Sequence, residues 1–227
     1  MVNCLIEKFS ENFLKYVCII ENLKRGEKEF FYISKTSVAF RILPSNIVMI
    51  AGEKDLDKAV LSVPDMSVTF FSPEEEVKVL LEKNGLKPCR CKQYLYGVQQ
   101  VEKSEIEFRK LGCDDKTVEF VQQNYSLGYT KEQVYHVLKE RVLYGGFLNG
   151  EICGFVGMHE ELSVGLLEVL EKFKRKGIGS FLLKTCVNEV IKSGYPAFCH
   201  VRSENVASIE LHKKLNCQPY SEEVYWF

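Results

Sequence analysis

Residues 165–170 are apolar apart from one carboxylate, Glu168, and from Ser180 onward Phe181, Leu182, Leu183, Cys186, Val187 and Val190 recur at helical spacing. The change of period predicts a strand handing over to a helix across Phe173-Lys174-Arg175-Lys176-Gly177-Ile178-Gly179-Ser180. In the first hundred residues, the aromatic and β-branched runs 30–33, 37–43 and 46–50 read as a strand meander broken by polar or Pro-containing turns. A short helix is expected over 55–60 and a strand over 67–71. A second helix follows, with Ser72 as cap, Pro73 at its first position and Glu74, Glu75 and Glu76 on its positive end, stopping at Asn84-Gly85.

Past a polar connection at 97–105, the pattern predicts a strand at 106–111 and two helices, one capped by Asp114 and one by Thr130 with Gln133 completing a capping box. A hairpin turns on Asn149-Gly150, since Asn-Gly accepts the two positive φ values of a type I′ turn. The helix from Ser180 to Ser193, a strand over 197–201, a helix from Asn205 and a closing strand over 223–227 complete the order. Strands alternating with helices around a mixed central sheet define an α/β, or α+β, class. Residues 72–88 align without a gap on 203–219 at a constant offset, which suggests an internal duplication, against two unrelated units sharing turn chemistry. The expected organisation is therefore a degenerate domain at 1–100 and a complete one at 101–227. In the first, Glu74, Val77 and Leu81 stand where Asn205, Ser208 and His212 stand in the second, and no Gly-x-Gly loop precedes them.

The loop suits an anion. Its three bases and two glycines lie where first-turn amides lack intrahelical partners and the helix dipole is positive. Neither the Lys-Ser/Thr ending of a P-loop nor the three glycines of a dinucleotide fingerprint is present. The stretch LLEVLEKFKRKGIGSFLL resembles the acyl-CoA loop of the GNAT superfamily of N-acetyltransferases, Arg or Gln, two residues, Gly, one residue, Gly or Ala, with Lys174 as the basic substitute and Gly177 and Gly179 in the glycine places. Downstream, 205–217 resembles the family's Asn-x-x-Ser-x-x-Leu-Tyr-x-Lys-Leu-Gly-Phe helix, with Asn205 and Ser208 matching and His212 where the family has Tyr. The resemblance covers 104–227.

It implies a GNAT fold, acetyl-CoA or another acyl-CoA as co-substrate, and transfer to the primary amine of a small molecule or peptide by direct attack. It would place the cofactor along Leu167, Val169, Lys174, Arg175, Lys176, Gly177, Ile178, Gly179, Ser180, Asn205 and Ser208. Such a reaction needs an oxyanion donor, a proton acceptor and a proton donor. Glu168 is the candidate base, with Glu160 and Glu161 as competitors. Strict alternation puts Glu168 on the opposite sheet face from Leu167 and Val169. His212 is the candidate donor to the leaving thiolate, or else a helix-surface histidine beside the cofactor. A non-catalytic acyl-CoA-binding or regulatory module is the alternative to an enzyme. Acceptor specificity is expected in the 124–129 loop, which carries no readable code.

Charge and composition narrow the picture by exclusion. Thirty bases against thirty-one acids give a net charge of −1, so no overall field favours nucleic acid or an anionic membrane. No run approaches the roughly 20 apolar residues of a membrane span, and the first residues lack a signal-peptide core, which predicts a cytosolic protein. The nine cysteines fall in apolar stretches as small hydrophobes, and Cys89-Arg90-Cys91 lacks the second pair a zinc site needs. His136, His159 and His200 read as structural, and no metal is expected.

Overall fold

The computed structural model describes residues 1–227. Residues 1–24, for which the pattern predicted nothing, form helices α1 (Val2–Ser10) and α2 (Phe13–Lys24). Leu5 and Phe9, four apart, bury one face of α1, whereas every residue from Tyr16 to Leu23 is buried, so α2 is enclosed on all sides. Then follow β1 (Lys28–Ile33), β2 (Ser37–Ile42), β3 (Ile47–Gly52), α3 (Leu56–Leu61), β4 (Thr69–Ser72), α4 (Glu75–Lys83) and β5 (Cys89–Tyr96). The second series is β6 (Glu107–Lys110), α5 (Asp115–Asn124), α6 (Lys131–Glu140), β7 (Leu143–Leu148), β8 (Glu151–Met158), β9 (Val164–Val169), α7 (Ile178–Lys192), β10 (Ala197–Arg202), α8 (Val206–His212) and β11 (Cys217–Trp226). Apart from β6 and a 3₁₀ turn at Glu171–Phe173, the two series share one order: two helices, three strands, helix, strand, helix, strand.

Contacts divide the chain into two compact units. Met1–Leu95, His200–Glu210 and Gln218–Phe227 form the first, and Tyr96–Cys199 with Leu211–Cys217 the second. The first break falls between Leu95 and Tyr96, and two C-terminal segments belong to the first unit. The cause is strand order. One sheet runs β1-β2-β3-β4-β11-β5-β10, so the last strand of the chain stands between β4 and β5. β11 pairs antiparallel with β4 through Tyr225↔Ser72 and Trp226↔Phe71. It is also twice as long as the expected 223–227, extending back to Cys217.

Within the first unit β1, β2 and β3 form the expected antiparallel meander, and β3 pairs with β4 in parallel through Ile47↔Thr69, Val48↔Phe70 and Met49↔Phe71. Val48, Ile50, Ala59, Phe70, Val77 and Leu81 pack one core from this sheet, α3 and α4. The predicted start of α4 is displaced. Ser72 accepts the Glu74 N–H at 3.1 Å, and the helix begins only at Glu75. Glu74 turns inward, where its Oε1 accepts the Tyr16 hydroxyl at 2.8 Å and the Gly52 N–H at 3.3 Å, and its Oε2 pairs with Lys15 at 2.6 Å. Burial above all, then the adjoining carboxylate, holds the Tyr16 phenol far above its ordinary range. Removing one partner of a buried ionic group strands the other, so Glu74→Ala should lower unfolding free energy by about 3 kcal/mol, read as a fall in the urea midpoint.

The second unit holds the antiparallel sheet β6-β7-β8-β9, with Val118, Val121, Val134, Val137 and Leu138 of α5 and α6 packed on Leu143, Phe155 and Leu166. Its local predictions hold. Asn149 and Gly150 have φ of 52° and 79° in the β7–β8 turn, and Thr130 and Gln133 close the capping box of α6. No helix is long and apolar enough to cross a membrane.

Candidate active site

Strand β9 is the last of its sheet, so its outer backbone edge faces no ladder partner. Its inner edge is irregular. Gly157 pairs with Gly165 but Phe155 pairs with Glu168, so Leu166 and Leu167 together stand opposite Val156 in a bulge, with Leu166 at φ 52°. The extra residue lies just before Glu168 and Val169, which pair in regular succession with Phe155 and Gly154, and Leu167, Glu168 and Val169 are all half-buried. Glu168 faces the α5–α6 connection, where its Oε2 accepts the Ser126 N–H at 3.2 Å. This joins the candidate base to the 124–129 loop that the sequence assigned to the acceptor.

The loop after β9 turns through Arg175 at φ 64° and Gly177 at φ 78° before entering α7. Gly177 is the N-cap and offers no side-chain acceptor, so the first-turn amides of Ile178, Gly179 and Ser180 are left for another acceptor. A Cβ on Gly177 would meet nothing within 4 Å, whereas one on Gly179 would come to 3.4 Å from Val169 Cγ2. Gly177 thus opens onto free space, and Gly179 lets α7 lie against β9. Lys174, in the place of the family's Arg or Gln, pairs with Glu171 at 2.7 Å, and this hydrogen bond raises its pKa. Lys176 lies 5.7 Å from the Phe173 ring centroid. Beside this loop is a 270 Å³ cavity lined in part by Lys176 and Gly177 of the loop, Ser180 and Lys184 of α7, and Lys103 and Ser104 of the connection. Lys103 and Lys184 were missed, although Lys184 lies one turn beyond Ser180 on the same helix face.

Asn205 and Ser208 belong to the first compact unit, and the loop and His212 to the second. Asn205 is exposed, and its Oδ1 accepts the Ser208 N–H at 3.0 Å as the cap of α8. His212 is not the surface histidine of one sequence reading, for it is only 4 % exposed. Its Nε2 lies 2.6 Å from the Tyr96 hydroxyl and 3.2 Å from Cys199 Sγ, and those two are 3.0 Å apart. Burial first, and Cys199 next, push the Tyr96 phenol well above its usual range, so it stays protonated. Neither partner was found from sequence, because they sit 116 and 13 residues from His212 on separate strands.

The competing carboxylates are engaged elsewhere. Burial raises the Glu160 pKa, and its Oε1 lies 3.7 Å from His136. Glu161 is buried and accepts the Ser163 hydroxyl. His159, taken from sequence as structural, contacts both Tyr129 and the β9 bulge. A Cβ on Gly165 would fall 2.1 Å from its Nε2. Gly165→Ala must therefore move the ring, and is expected to lower stability by about 1–3 kcal/mol in denaturant titration. No group of three or more His, Cys, Asp or Glu side chains is placed to hold a metal.

A family model described as FR47-like protein matches residues 145–227. A Drosophila protein of known structure shares 16 % identity at TM-score 0.70, covering 97 % of this chain and 84 % of that one. A GCN5-related N-acetyltransferase from Kribbella flavida shares 8 % at TM-score 0.66, with 94 % of each chain covered. A tandem GNAT protein from the clavulanic acid biosynthesis pathway shares 13 % at TM-score 0.52, covering 92 % of this chain and 86 % of that one. No curated protein matches the chain. At these identities the likeness is one of fold, and the fold is that of the GNAT acetyltransferases, a mixed sheet flanked by helices.

Proposed function

We propose that the protein transfers an acyl group, most simply acetyl, from an acyl-CoA to the primary amine of a small molecule or peptide. The observation carrying this reading is that one compact unit holds both a bulged edge strand, β9, and an uncapped helix N-terminus directly after it. Acyl-CoA suits these residues. The α7 amides and the open face of Gly177 suit a pyrophosphate, Lys174, Arg175 and Lys176 supply charge, and the outer backbone edge of Leu167 and Val169 suits the amide-bearing arm. When bound, the thioester supplies an activated acyl carbon and a good leaving group. Glu168, held to the acceptor-side loop through Ser126, accepts the proton of the attacking amine directly or through one water. His212 gives a proton to the departing thiolate, and the Tyr96 phenol 2.6 Å from its Nε2 orients the ring. Asn205 and Ser208 are assigned to the cofactor by resemblance alone.

The same reading takes residues 1–100 as a degenerate copy, kept for shape. Its support is the repeated element order, together with the β3–β4 ladder and the inward Glu74, which fill the place where β9 ends one sheet and β10 another. Thiol release from acetyl-CoA against a panel of amines tests the function. Turnover with at least one amine is expected. Tight CoA binding without release for any amine would make the protein a binding module instead.

A further inference from the structure

Resting on that reading, we infer that His159 is a positioning residue for the acceptor side. It latches the α5–α6 loop to the bulge of β9 through Tyr129 and the Leu166 amide.

The bonding pattern dictates the tautomer. His159 Nε2 lies 3.2 Å from the Leu166 amide nitrogen, and Nδ1 lies 2.8 Å from the Tyr129 hydroxyl oxygen. A backbone N–H only donates, so Nε2 must carry a lone pair, and a neutral imidazole then has its single proton on Nδ1. That proton is donated to Tyr129. The phenol remains neutral, since burial first and then Glu161 push its pKa far above the usual range. The amide at the other end belongs to one of the two residues without a register partner on β8, a leucine with φ 52°. A left-handed leucine costs about 1–2 kcal/mol, so the bulge needs an outside group to hold it. Gly165 leaves the space the ring occupies.

A second tether acts on the same loop, from the Ser126 N–H to Glu168. Tyr125 is buried, with its ring edge-on to Tyr129 at 5.1 Å, while Ser126, Leu127 and Gly128 are exposed between these anchors. The loop is thus fastened at two points to the strand proposed to carry the acyl group.

The experiment has an arm that needs no catalysis. Nitrogen-15 NMR of the ligand-free protein should show His159 as the Nδ1–H tautomer. The Leu166 amide should exchange slowly. His159→Ala should speed that exchange at least 10-fold and raise the acceptor KM about 10-fold while leaving the acetyl-CoA KM unchanged. His159→Gln, whose amide oxygen can accept the same N–H, should restore slow exchange and recover most of the acceptor KM. An Nε2–H tautomer, or Leu166 exchange that His159→Ala leaves unchanged, overturns the latch whatever the activity. A latch seen by NMR in a protein that acylates no amine would instead overturn the proposed reaction.

Discussion

His212→Ala is expected to lower kcat by about 10²–10⁴ while the dissociation constant for acetyl-CoA stays near its original value, the signature of one lost acid-base group. The burial of His212 shapes the controls. Truncating a 4 % exposed ring leaves the Tyr96 hydroxyl and the Cys199 thiol in a cavity, so the variant also loses stability, about 2–4 kcal/mol. Rates must therefore be taken well below its unfolding temperature. Restoring the family's tyrosine at this position is less simple than the sequence implies, because a second phenol would compete with Tyr96 for the same space. Tyr96→Phe is the cleaner probe. It keeps the ring, removes only the group 2.6 Å from Nε2, and should lower kcat about 10-fold if that phenol orients the imidazole. Wild-type turnover in His212→Ala would remove His212 and Tyr96 from the chemistry together.

Gly177→Glu should weaken acetyl-CoA binding by about 2–4 kcal/mol, roughly 30- to 1,000-fold, in calorimetry. Two effects combine. A side chain at φ 78° strains the turn by about 1–2 kcal/mol, and a carboxylate reaching into open space takes the amides proposed for phosphate. Gly177→Ala carries the strain without the charge and separates the two. The wild-type protein should bind one acetyl-CoA per chain, as a degenerate first half requires. A second equivalent, or unchanged affinity in Gly177→Glu, would reject the assignment of this loop.

The readable features were local ones. The Asn149-Gly150 turn, the Thr130–Gln133 box and the glycine entry to α7 each depend on a few adjacent residues, and each formed where the sequence indicated. Features that failed depend on distant groups. Ser72 was a sound cap by composition, but Glu74 is drawn to Lys15, Tyr16 and Gly52, and the helix starts later in consequence. The bulge of β9 was not foreseen, because its extra residue, Leu166, has an unusual φ that no side-chain property of leucine announces. Tyr96 and Cys199 are buried in strands β5 and β10. Only the strand order brings them to His212.

That order bears on how the chain is made. β4 and β5 are complete by residue 96, but the strand between them, β11, begins about 120 residues later. At a synthesis rate of 5–20 residues per second, both edges wait roughly 6–24 s with unpaired amides and carbonyls. During that interval the nascent N-terminal region resembles an unfinished sheet open to any extended segment nearby. Its solubility on the ribosome depends on chaperone cover or on rapid elongation, so slowed translation of the last hundred codons should reduce the soluble yield of the whole protein.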